Sequence, residues 1–403
     1  MPVGPAPLQV LTAETKTERI PSIDVARGIV MIVMALDHVR DYFHRDAFFF
    51  EPTDLSQTNG ILFFTRFVTH FCAPVFVLLA GTSAYLYGLK HDSRALSRFL
   101  LIRGLCLVLI EILVIGPVST FNPLLPYVAL QAIWAIGVSM IVLAALVHLR
   151  FGTILLIGLI VVAGHNLLDG IAVPGDGVAS LLWSALHVQR HFMFGSLSVE
   201  VGYPVLPWIG IMALGYCLGA LYAPEHDIAA RRHALFVTGF AALGVFALLR
   251  GLNLYGDPAP WSPQAEPLFS ALSLLDVTKY PPSLSYTLIT LGPACLLLAC
   301  IENVRNTLTA TLAMFGGVPM FYYIVHILLI HLLAIPAVVI CGHPWTDMIF
   351  DRNSGTALQG YGFNLAVVYG VWIGVIAILY PLCRWFDRYK RQHRARQQWL
   401  SYL

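Results

Sequence analysis

Charge is what this chain has least of: Asp, Glu, Lys and Arg together make up 11% of its 403 residues. A soluble domain carries about 25% charged residues, because its surface must face water. So few charges cannot cover a water-facing surface of this size, whereas lipid asks for none. Paired cysteines are missing too. The seven present (Cys72, Cys106, Cys217, Cys295, Cys300, Cys341 and Cys383) are scattered, with no C-x-x-C. An odd number cannot close a disulfide framework, so they read as small buried hydrophobes, and no metal site is expected from them. No P-loop, G-x-S-x-G or H-E-x-x-H motif occurs, which argues against ATP-driven transport, serine hydrolysis and zincin chemistry. There is no long basic or acidic block, and the aromatics fall inside apolar runs, so nucleic acid is not an expected partner. No basic segment leads into a short apolar core with a cleavage site, so no removable signal peptide is expected.

What is there is apolar. Hydrophobic residues make up 58% of the chain and mean hydropathy is +0.75. A membrane span needs roughly 20 apolar residues. Ten segments qualify: 24–43, 61–89, 97–118, 127–147, 152–168, 203–222, 234–250, 283–301, 312–340 and 363–386. The expected fold class is an all-α polytopic transmembrane helical bundle of about ten spans. A cytoplasmic tail (1–23) precedes the bundle (24–386) and a basic cytoplasmic tail (387–403) follows it. With the N-terminus inside, seven of the 24 Lys and Arg (Arg40, Arg45, Arg66, Arg190, Arg250, Lys279 and Arg352) fall outside or within spans, leaving 17 on the cytoplasmic side. The positive-inside rule therefore chooses both termini cytoplasmic, and an even number of spans agrees. The basic tail reads as an anchor against anionic lipid. No internal repeat is found.

Ionisable groups at membrane depth are costly, so each is a functional hypothesis. The densest group closes the first span: Asp37, His38, Arg40 and Asp41, then His44 and Asp46. Asp37 and Asp41 are one helical turn apart, and a carboxylate beside His38 would fix its tautomer and raise its basicity, as a general base requires. A solvated interfacial helix end explains the same spacing. Arg66 and His70 are one turn apart in the second span, before Pro74, which is expected to kink that helix. If the first two spans are antiparallel neighbours, Arg66 and His70 reach the depth of Asp37 and Asp41 and can form an ion pair there. Glu111 needs a partner, for which Arg66 is one candidate, and Gln131 could face the same cavity. Tyr322 and His326 stand at i,i+4, with His331 beyond them. A lone histidine on an apolar helix is more often a packing residue, which is the favoured reading for His331, whereas packing and function weigh equally for His326. At the start of the first span Ser22 reads as an N-cap. Arg27 would pair with Asp24 or meet an anionic ligand, and Arg98 and Arg103 could join it around phosphates, unless all three simply snorkel.

The element R-I-P-S-I-D-V-A-R-G-I-V-M-I-V-M-A-L-D-H (19–38), with Ser22, Asp24, Arg27 and Gly28 in the pattern S-x-D-x-x-R-G, resembles the opening of the heparan-alpha-glucosaminide N-acetyltransferase catalytic family. H-F-C-A-P-V-F-V-L-L-A-G (70–81) looks like that family's second span, with Pro74, Phe76 and Gly81 in register. G-G-V-P-M-F-Y-Y-I-V-H (316–326) is similar to a late span shared with related membrane acyltransferases. The resemblance implies a ten-to-eleven-span bundle that moves acetyl from cytosolic acetyl-CoA to an acceptor sugar amine across the membrane. It places the family's catalytic asparagine on His38 and the acidic residue of its second span on His70. No residue matches the family's loop histidine in register, and His44 is the nearest. The bacterial members are mostly uncharacterised membrane proteins, so the inner membrane is the expected location and heparan is not the expected acceptor.

Three readings follow. In the favoured one, the chain is an acyltransferase. Arg27 with Arg98 or Arg103 holds the acyl-CoA phosphates, and His38, oriented by Asp37 or Asp41, deprotonates the acceptor or carries the acyl group. His70 and Arg66 orient the thioester. The second is a transporter using Asp37, His38 and His70 as a proton relay. The third is a scaffold whose outer loops bind a partner or lipid. The expected partners are acyl-CoA, a sugar-like acceptor and the bilayer, with a homodimer left open.

Overall fold

The computed structural model describes residues 20–122, 127–350 and 354–393, so Lys16, Arg19, Arg352, Arg394 and Arg396 lie outside the described residues. Each apolar run contains a helix. The first half of the bundle holds α1 (Pro21–Phe43), α2 (Gly60–Thr69), α3 (Cys72–Gly88) and α4 (Ser93–Ile110). A π turn (Glu111–Ile115) joins α4 to α5 (Gly116–Thr120), and α6 (Ala132–Leu146) and α7 (Phe151–Gly164) follow, α7 ending in a 3₁₀ turn (His165–Leu168). After α8 (Val178–His187) come α9 (Leu206–Leu218), α10 (Ile228–Leu252), α11 (Pro267–Leu275) and α12 (Leu284–Ile301). The last elements are α13 (Thr307–Gly316), α14 (Pro319–Ile340), α15 (Ser354–Ala357) and α16 (Leu365–His393).

Among the described residues seven helices are long and apolar enough to cross a membrane: Gly60–Gly88, Ser93–Thr120, Phe151–Leu168, Ile228–Leu252, Leu284–Ile301, Pro319–Ile340 and Leu365–His393. The remaining apolar runs fall short for identifiable reasons. Five charges dilute α1, whereas Ala132–Leu146 and Leu206–Tyr222 are short. Leu101, Leu105, Leu109 and Leu113 recur every four residues and are all exposed. An apolar stripe with no protein partner suits lipid, and the chain is a multi-pass membrane protein.

The two faces of the bundle differ. The terminal face carries the start of α1 and the end of α16; the loop face carries the long connections. Those connections hold structure that an all-α reading missed. β1 (Tyr127–Leu130) pairs in parallel with β3 (Leu197–Val201), which pairs antiparallel with β2 (Arg190–Phe194). The two-residue β2–β3 turn is made possible by Gly195 at φ +64°. Residues 127–130, expected to begin a span, are strand instead.

The glycines of the motif-bearing segments mark close helix crossings. A Cβ on Gly28 would overlap the Leu312 carbonyl where α13 crosses α1, and one on Gly81 would overlap the Met212 carbonyl of α9. Ser22 does not cap α1: Pro21 occupies the first helical position, Ile20 is the N-cap, and Ser22 is buried one residue inside. The kink expected at Pro74 is a break between Thr69 and Cys72. Proline supplies no N–H for the His70 carbonyl, which instead accepts from the Tyr286 hydroxyl at 2.7 Å.

Candidate functional site

A cavity of about 1510 Å³ runs along α1 and is walled by α3, α4, α6 and α14. Asp24 and Asp41 both line it. They are 17 residues apart on one helix, or about 26 Å at 1.5 Å per residue. The cavity therefore traverses most of a hydrocarbon core roughly 30 Å thick.

At its loop-face end the charges on α1 are bound to one another. Arg66 donates to both oxygens of Asp37, at 2.9 and 2.8 Å, and Thr69 donates to one of them at 2.8 Å. Arg40 reaches Asp37 at 2.9 Å and Asp41 at 2.6 Å. The antiparallel placement of α1 and α2 that the ion pair required is thus met. Two arginines almost wholly out of solvent are tolerable because carboxylates pair their charges, although Nε and Nη1 of Arg40 have no hydrogen-bond partner among the described residues. Asp37, His38 and Asp41 face the cavity; Arg66 and His70 stand behind it. The His70 ring instead packs 5.5 Å from that of Tyr286.

His38 is set by a partner on a distant helix. Its Nδ1 lies 2.7 Å from Nε2 of His326, with the rings stacked 4.9 Å apart. His326 Nδ1 lies 2.9 Å from the Tyr322 carbonyl. A carbonyl only accepts, so in neutral rings His326 carries its hydrogen on Nδ1 and presents a bare Nε2. His38 must then donate from Nδ1, which leaves its own Nε2 unprotonated on a ring that lines the cavity. His326 was as readily explained by packing; its place beside His38 depends on which faces of α1 and α14 meet. His331 does not join them. Its Nε2 donates to the Met348 carbonyl at 2.7 Å and its ring stacks on Phe121.

Other expected contributors are placed as follows. His44 ends α1, where its Nδ1 accepts from the Asp46 amide at 3.3 Å, and it does not line the cavity. Burial holds its imidazole below the usual histidine range, although Asp46 opposes the shift. Glu111 is buried in the cavity wall, but its partner is not Arg66. It accepts from the Trp134 amide at 2.9 Å, taking an orphan N–H of the first turn of α6. The π turn that begins at Glu111 widens the helix there. Gln131 lines the cavity just before α6. A residue the sequence did not single out, Lys279, enters this end from the loop before α12, with only 9% of its surface exposed. Loop position concealed it.

At the terminal-face end the lining carries Arg27, Lys90, Arg103 and Lys390 against one carboxylate, Asp24. Arg27 bonds Asp24 at 2.8 Å, the Gly316 carbonyl at 3.0 Å and Ser83 at 3.1 Å, which points its guanidinium across α1, α3 and α13. Arg103 lies over the Phe99 ring, and Lys390 donates to the Gly317 carbonyl at 3.3 Å. Arg98 is exposed and does not line the cavity. The arrangement offers an anion site at one end and a histidine base among carboxylates at the other.

A family model described as heparan-alpha-glucosaminide N-acetyltransferase, catalytic, matches residues 19–250, more than half of the chain. No curated protein matches it. The matched range contains α1 with its S-x-D-x-x-R-G element, α3 with Pro74 and Gly81, and most of the cavity wall.

Proposed function

The chain belongs to the heparan-alpha-glucosaminide N-acetyltransferase catalytic family, and from that membership we propose a membrane acyltransferase that moves an acetyl or short acyl group from acyl-CoA to an amine or hydroxyl of a sugar-like acceptor. The observation that carries this reading is the bare Nε2 of His38 in a cavity whose other end is cationic. The nucleotide phosphates of the donor suit Arg27, Arg103, Lys90 and Lys390, and the pantetheine arm would follow the cavity along α1 to the thioester's place near His38.

The acceptor N–H or O–H gives its proton to His38 Nε2 as the acceptor atom bonds to the thioester carbon. The C–S bond then breaks, and the CoA sulfur takes the proton back from His38. The Nδ1–H bond to His326 holds the ring in the tautomer this needs. Asp37, anchored by Arg66, Arg40 and Thr69, adds negative potential for the transient imidazolium. Lys279 provides a cation for the carbonyl oxygen as it gains charge. Positive-inside bias supports ten crossings with both termini in the cytoplasm of an inner membrane. The donor then enters from the cytoplasm and the acceptor from the loop face.

The test uses purified full-length protein in detergent. Acetyl-CoA is expected to raise its thermal stability through linkage, and free thiol to appear when amino sugars are added. No stabilisation at saturating acetyl-CoA, together with proton-gradient-dependent solute flux in vesicles, would replace this reading with a proton-coupled transporter.

A further inference from the structure

Outside the cavity, the loop-face end of α7 gathers a second set of ionisable side chains. His165 and Asp169 are one helical turn apart around the 3₁₀ turn that ends α7, and His187 closes α8. Their nearest ligand atoms all lie within 4.8 Å of one another. His165 is 2% exposed and His187 1%. His187 Nε2 faces Asp169 Oδ1 at 3.1 Å. That contact occupies one ring nitrogen of four. Nδ1 of His187 is buried without a hydrogen-bond partner among the described residues, and the two buried His165 nitrogens have at most the Pro282 carbonyl beside them. Buried imidazole nitrogens are seldom left unmatched, so a simple Asp–His hydrogen bond does not explain this arrangement.

We propose that His165, Asp169 and His187 bind a divalent transition metal of the zinc class, with a fourth position open on the solvent side. Two imidazoles and a carboxylate form a common zinc ligand set. Bonds of about 2.0–2.1 Å at tetrahedral angles separate neighbouring ligand atoms by about 3.3 Å, close to the His187–Asp169 spacing. Supporting groups are in place. Asn166 Nδ2 donates to the other Asp169 oxygen at 2.8 Å. With one nitrogen of His165 on the metal, the other can carry the hydrogen toward Pro282, the usual way a ligating histidine is oriented. Asp169 is only partly covered, which leaves a path for the ion. The sequence carries the cluster as H-x-x-x-D with a histidine 18 residues on, a pattern that a search for cysteine spacing passes over.

The site fastens three elements. It joins the end of α7 to α8, and Asn166 Oδ1 accepts from the Leu284 amide at 2.9 Å, fixing the start of α12. The loop that enters α12 brings Lys279 into the cavity. A bound metal therefore stiffens the support of that loop. This inference does not depend on acyl transfer.

The experiment uses tag-free full-length protein in detergent, stripped with EDTA and titrated with Co²⁺, whose visible absorption reports tetrahedral nitrogen–oxygen ligation. One equivalent is expected to bind, to be displaced by Zn²⁺, and to raise the melting temperature of the stripped protein. Asp169→Asn, which keeps the side chain's shape, should weaken Co²⁺ binding by tenfold or more, and His165→Ala/His187→Ala should abolish it. His191→Ala, on β2 outside the cluster, should bind as the unaltered protein does. Absence of saturable one-equivalent uptake, or equal affinity in the Asp169→Asn protein, overturns the proposal.

Discussion

The two ends of the cavity handle charge in opposite ways. At the loop-face end each carboxylate on α1 has an arginine: Arg66 and Arg40 hold Asp37, and Arg40 also holds Asp41. At the terminal-face end four cations line the wall with one carboxylate among them. A compensated cluster positions a reacting group, because nothing in it can move without leaving a buried charge unpaired. A cation-rich one binds, because a mobile anion adds to the single carboxylate that lines it. The first should govern turnover and stability, and the second affinity for the donor.

The strongest way to break that comparison is His38→Ala. If the loop-face end governs turnover, thiol release from acetyl-CoA should fall about 10²–10⁴-fold in kcat, the usual contribution of a general base. The KM for acetyl-CoA should stay nearly constant. A loss confined to KM would place His38 with the binding end.

A second test concerns the compensation itself. Asp37→Ala leaves Arg66 and Arg40 facing fewer anions, and Arg66→Ala leaves Asp37 one cation short. Truncating one partner of a buried pair costs about 3–5 kcal/mol, whereas replacing both with apolar residues is often neutral. Thermal melts should therefore show Asp37→Leu/Arg66→Met more stable than either single truncation. If the three variants melt together, the pair is not what holds α1 to α2.

How far this contrast could be read in advance depends on the kind of contact. The Arg66–Asp37 pair was legible because span depth follows from residue count once two helices are taken as antiparallel. The break before Pro74 was legible as a kink. Its position was not, because it depends on the Tyr286 hydroxyl arriving from α12 to satisfy the His70 carbonyl. His326 could not be matched to His38, since period and composition do not say which helix faces meet. The strands at 190–201 and Lys279 lie in loops, where no apolar period exists to read. Ser22 misled because a proline one residue earlier was the stronger start signal. The basic end was half legible: Arg27 and Arg103 line the cavity, whereas Arg98 faces away and Lys390 arrives from the last helix.

A third, smaller effect is expected at that end. Arg27→Ala and Arg103→Ala each remove one cation of several, so the KM for acetyl-CoA should rise about tenfold, the worth of roughly 1.4 kcal/mol, with kcat little changed. Raising ionic strength should weaken donor binding less in these variants than in the unaltered protein, because they have less charge to screen. Arg98→Ala, outside the cavity, should leave both constants unchanged. An equal rise in KM on removing Arg98 would make the effect one of general surface charge.

The smallest effect sharpens the comparison by supplying a carboxylate with weak compensation. Asp276 follows α11 on the loop face. Burial raises its carboxyl to about 6, with hydrogen bonding from Thr53 and the charge of Arg250 only partly opposing it. An Arg250 guanidinium nitrogen donates to the backbone carbonyl of Asp276, and the Asp257 carboxylate adds repulsion. With the folded value above the unfolded one of about 3.9, the folded state binds more protons between the two. Stability should therefore fall as pH rises from about 4 to about 6 and stay flat above that. Asp276→Asn cannot ionise, so it should match the unaltered protein at pH 4 and melt about 1–3 °C higher at pH 7.5, on the scale of 2–4 °C per kcal/mol for mid-sized domains. The side chain is partly exposed, and solvent screening keeps the gain small. If both proteins share one pH profile, Asp276 is compensated after all, and the loop face holds its carboxylates as evenly outside the cavity as within it.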